Sequence, residues 1–80
     1  MAKFEVAVYN AEVRQKVADG ERHKRFADDW AYLHYIEIEA NNEEQARAKI
    51  EVMHPSVQGF VIDEILVKYW GLMGAQNKFW

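Results

Sequence analysis

Hydrophobic positions change their period twice between Tyr32 and Val67, and this change is the clearest organising signal in the chain. Residues 32–40 (YLHYIEIEA) alternate apolar and polar side chains and are rich in β-branched and aromatic types, which predicts a strand. Tyr32, His34, Ile36 and Ile38 share one face of it, and the isoleucines make that face the buried one. Leu33 and Tyr35 on the other face suggest a second contact surface. From residue 43 the apolar residues recur at helical spacing instead. Ala46, Ile50 and Met53 form one narrow stripe, with Arg47, Lys49 and Glu51 left to solvent. Asn41 or Asn42 supplies the N-cap, Glu43 and Glu44 suit the positive end of the helix dipole, and Pro55 ends the helix near His54. After a turn at 56–59 a third apolar run, residues 60–70, predicts another strand. It is apolar on both sides and interrupted by Asp63-Glu64, so it is either a central strand or a strand with a bulge near Asp63.

Ahead of this unit, residues 3–9 alternate with Phe4, Val6 and Val8 on one face, which predicts the first strand. Asn10 is an N-cap candidate for a short helix over 11–19, carried by Val13 and Val17 and stopped by Gly20. Residues 21–31 have no clean period and read as an ordered loop that Phe26 and Trp30 pin to the core. The expected architecture is a small α+β domain: a single sheet of three to four strands in the order β, helix and loop, β, helix, β, with one main helix packed on one face. Residues 1–70 form the domain, and residues 71–80 form a C-terminal tail or a short fourth, edge strand. The strands flanking the main helix should run parallel if they share the sheet, with the first strand antiparallel to them.

Eighty residues bound the answer to one thin-cored domain, since a chain of this size buries only roughly 60–65% of its unfolded surface. There is no cysteine, so neither a disulfide nor a thiolate–zinc site can supplement that core. Absence of cysteine and of a basic-then-apolar leader in MAKFEVAVYN leads us to expect a cytoplasmic protein not associated with membranes. The net charge of −3 argues against non-specific nucleic-acid binding. The charge is unevenly spread, however. Residues 21–25 hold Arg22, Lys24 and Arg25 against a single acid, whereas residues 37–51 are predominantly acidic.

No catalytic signature is present: there is no Gly-rich phosphate loop, and the only serine, Ser56, sits in a turn after Pro55. Asp28-Asp29 read as turn formers rather than as an acid–base pair. His23, His34 and His54 lie on three different elements with no ligand spacing, so neither a metal nor another cofactor is expected. His34 reads as a half-buried strand histidine, and His54 as a cation at a helix C-terminus.

Two surfaces remain as candidates. The aromatic residues Trp30, Tyr32, Tyr35, Tyr69, Trp70, Phe79 and Trp80 exceed what one helix on a three-stranded sheet can hide, and since Tyr and Trp anchor interfaces, Tyr35, Tyr69, Trp70, Phe79 and Trp80 are the interface candidates. They point to a non-enzymatic accessory or adaptor domain that binds a protein partner, or itself as a homodimer, through the sheet face and the C-terminal segment. The alternative is a nucleic-acid or anion-binding module in which Arg22, Lys24 and Arg25 meet phosphates and Trp30 stacks. Nucleic acid ranks second because Asp28 and Asp29 stand beside those cations.

Overall fold

The computed structural model describes residues 1–70, with side chains through Lys68. The three strands predicted from the apolar pattern form one sheet of order β2-β1-β3, with two helices: β1 (Ala2–Asn10), α1 (Ala11–Ala18), β2 (His34–Ala40), α2 (Glu43–Met53) and β3 (Phe60–Trp70). This is a small α+β domain with one main helix on one sheet face. β1 is the central strand and runs antiparallel to both neighbours, so β2 and β3 run parallel with β1 between them. The suggested fourth strand in 71–80 lies outside the described residues.

Pairing decides the faces. Phe4, Val6 and Val8 of β1 stand opposite Ile38, Ile36 and His34 of β2, and opposite Val67, Ile65 and Ile62 of β3. Ala46 and Ile50 of α2 close over this face and have no exposed surface. Full burial of side chains such as Ile50, Val6 and Val8 contributes about 1.5–3 kcal/mol each. Lys49 anchors the helix to the sheet by donating from Nζ to the Glu39 carbonyl at 2.7 Å.

Among the described residues β3 is an edge strand, not a central one, and it does carry the bulge. The register steps between Ala7↔Glu64 and Val8↔Ile62, leaving Asp63 without an opposite residue; a second step between Lys3↔Tyr69 and Phe4↔Val67 does the same for Lys68. The bulge at Asp63 lets Ile62 and Ile65 face the core together although strict alternation would separate them. β2 begins at His34 rather than Tyr32, and Tyr32 is exposed before it.

Caps set the helix ends. Asn42 Oδ1 accepts from Gln45 N at 2.7 Å, and Gln45 Oε1 accepts in return from Asn41 N at 2.7 Å. Asn10 does more than cap. Its Oδ1 accepts from Val13 N while its Nδ2 donates to the Gln58 carbonyl, both at 3.0 Å, and Ala11 N donates to the Gly59 carbonyl at 2.7 Å. The residue is fully buried, and these bonds tie the β1–α1 junction to the turn before β3. Gly59 adopts φ 99°, and a Cβ there would lie 2.7 Å from Asn10 Oδ1 and 2.8 Å from Glu12 Cγ. The helical stripe of α2 departs from expectation at its end. Met53 is half exposed, and His54, the C-cap, turns inward in its place.

Candidate functional site

The three histidines, scattered in sequence, converge on one aromatic cluster. The short 3-10 turn Asp28–Ala31 places Trp30 against the core, where its indole stacks on His34 with centroids 3.9 Å apart and 13° between planes. His34 Nε2 donates to the Asp29 carbonyl at 3.0 Å, which fixes that ring. Phe60 meets Trp30 and Phe26 edge-on at 5.1 and 5.0 Å, and His54 packs on Phe60 at 4.9 Å. His54 is not the helix-end cation suggested by its position. Burial pushes its pKa below 6.5, and His34 nearby pushes the same way. Among the described residues, no three side chains of the metal-binding types come together.

The basic loop opens a cavity of about 540 Å3 beside this cluster. Lys16, Arg22, Lys24 and Arg25 line it against one carboxylate, Glu12, with Phe26 and Val57 as apolar wall. His23 holds the loop in shape. Its Nδ1 accepts from Arg25 N at 3.0 Å and Phe26 N at 3.4 Å, so Nε2 carries the proton and donates to Glu12 Oε1 at 3.1 Å. Lys16 pairs with Glu21 at 3.3 Å. Among the described residues, the side chains of Arg22, Lys24 and Arg25 form no ion pair, with Asp28 and Asp29 included.

Trp30 does not join those cations; it is committed to His34 and the core. His23 and Phe26 are contiguous with the basic run, whereas Glu12, Lys16, Val57 and Gln58 are the site residues to which the sequence does not point. They come from α1 and the turn at Ser56–Gln58, which the Asn10 and Ala11 bonds bring together, while His23–Glu12 and Lys16–Glu21 hold the loop on α1.

The opposite face of the sheet is not covered by α2. Tyr35 there is 62% exposed, Leu66 49% and Val61 36%. Ala7, between Tyr35 and Glu64, is buried, and the Arg14 guanidinium lies 3.6 Å above the Tyr9 ring. Four carboxylates interleave with the apolar residues on this face: Glu5 of β1 stands between Glu37 and Leu66, Glu64 shares the row of Ala7 and Tyr35, and Glu39 lies opposite Lys3, which reaches Glu37 at 3.9 Å. Tyr69 and Trp70 enter the register opposite Lys3 and Ala2, but their side chains, like Phe79 and Trp80, lie outside the described residues. Among the described residues no helix is long and apolar enough to cross a membrane. Compared with protein-family models, curated proteins and solved structures, the chain finds no match.

Proposed function

We propose that this protein is a non-enzymatic binding domain that docks a protein partner on the outer face of its sheet. The observation that supports this reading is the two-sidedness of the sheet: α2 buries one face, while Tyr35, Val61 and Leu66 stand exposed on the other, interspersed with carboxylates. An exposed Tyr on a sheet face is the kind of residue on which interface energy concentrates once a partner buries it. The carboxylates give the partner its character, since a surface that interleaves Lys and Arg with apolar side chains complements them. Three side chains alone do not offset the cost of association, which is about 4–15 kcal/mol. In this reading the aromatics Tyr69, Trp70, Phe79 and Trp80 extend the contact. With no cysteine to oxidise, the chain suits the cytoplasm.

The experiment compares the full chain with the double variant Tyr35→Lys, Leu66→Lys in partner capture and in sedimentation. Both sites are exposed, so the variant should melt with the parent. The expected result is loss of the captured protein, or of the dimer if the partner is a second copy. An unchanged partner set and unchanged mass would remove the outer face from consideration.

A further inference from the structure

We propose that the cavity between α1, the 21–27 loop and the Ser56–Gln58 turn is a binding site for a small organic phosphate with a planar apolar group, the size of a mononucleotide. It is a different surface from the sheet face and does not depend on it. Charge is the first argument. Arg22, Lys24 and Arg25 converge on one concavity with no counter-ion among the described residues, in a chain whose acids outnumber its bases. The one carboxylate in the wall, Glu12, already accepts from His23. Crowded cations repel one another, and a multiply charged anion relieves that repulsion while meeting the guanidinium forks in paired hydrogen bonds.

Preorganisation is the second argument. A solvated basic loop has no need of internal geometry, yet here one imidazole accepts two successive backbone N–H groups and is itself anchored on α1 through Glu12. The cations therefore stand on a fixed arc, and ordering them costs a ligand little. The wall is the third. Phe26 is held edge-on by Phe60 and Val57 is 85% exposed, so an apolar surface waits beside the charges. A volume of about 540 Å3 falls in the range of small-molecule sites. Glu21, Asp28 and Asp29 flank the loop and oppose a long polyanion running past it, which selects a compact ligand over a nucleic-acid strand.

Calorimetric titration of the full chain with adenosine diphosphate, inorganic pyrophosphate and a single-stranded oligonucleotide tests this. The diphosphate nucleoside should bind about tenfold or more tightly than pyrophosphate, through burial of its base against Phe26 and Val57. Binding should weaken with added salt and vanish in Arg22→Ala, Lys24→Ala, Arg25→Ala, whose exposed substitutions leave the melting curve in place. His23→Leu should weaken binding by releasing the backbone of the loop, and His23→Asn, which keeps an acceptor near the Nδ1 position, should restore part of it. No heat with the nucleotide at millimolar concentration, equal binding of pyrophosphate, tighter binding of the oligonucleotide, or insensitivity to the triple substitution would each overturn the proposal.

Discussion

The Trp30 indole lies flat on the His34 imidazole, 3.9 Å between centroids, and His54 tilts against the same indole at 5.1 Å. Two imidazoles thus share one aromatic neighbour, and the nearby His34 makes a proton on His54 less favourable. His54 is the ring whose pKa this environment lowers, by burial first and by His34 second.

The sign of the pH dependence follows. A histidine with a folded pKa below the unfolded value of 6.5 takes up a proton more readily in the unfolded chain. Its contribution to stability is complete above about pH 6.5 and is lost as pH falls through 6.5 toward the folded pKa. The urea midpoint should therefore drop between pH 7.5 and 5.5. His54→Phe, which keeps a ring on Phe60 and Trp30, should flatten that slope. A midpoint that rises on acidification contradicts the assignment.

The α2 face is testable by contrast. Ile50→Ala should destabilise by about 2–4 kcal/mol, because the side chain is fully buried among Phe4, Val6 and Phe60. Met53→Ala, at a half-exposed site on the same helix, should cost well under half of that. Equal losses in denaturant titration would mean that the helix is turned differently.

Asn10 and Asn42 both cap helices, yet they should respond differently to aspartate. Asn42→Asp keeps the acceptor for Gln45 N on an exposed site and should change stability by no more than about 0.5 kcal/mol. Asn10→Asp keeps the acceptor for Val13 N but turns a carboxylate oxygen toward the Gln58 carbonyl inside the core, and should cost about 1–3 kcal/mol or more. Comparable melting curves for the two variants would refute the buried role of the Asn10 amide.

Deleting Asp63 should leave a folded protein. Removal of the unpaired residue keeps Ile62 and Ile65 opposite Val8 and Val6 and makes the strand regular. Inserting one residue after Glu64 instead turns Ile65 and Val67 away from the core and should prevent cooperative unfolding. Circular dichroism with thermal melting distinguishes the two, and a native-like insertion variant would be the contrary outcome.

Local chemistry was legible in the chain. The cap at Asn10, the helix stop before Pro55, the buried isoleucine face of β2 and the irregularity at Asp63 all follow from neighbours a few residues apart. What depended on distant partners was not. Nothing local says that β1 rather than β3 occupies the centre, because an apolar strand made two-sided by a bulge looks like a central one. Trp30 sits near Arg25 in sequence, and the 3-10 turn between them sends the indole to His34 and the cations to α1. His54 was read from its place at a helix end, while its surroundings are set by Phe60 and Trp30.

Placing the earliest strand at the middle of the sheet has a kinetic consequence. Val6 pairs with Ile36 and with Ile65, so neither of its ladders can close locally, and no hairpin of adjacent strands exists among the described residues to nucleate the sheet. Loop closure precedes reward at both edges, which predicts slow folding for so short a chain. During synthesis β1 emerges from the ribosome with both edges unsatisfied; β2 can cover one of them, and the other stays open until β3 follows. In that interval the run from Phe4 to Val8 is the segment most in need of a chaperone.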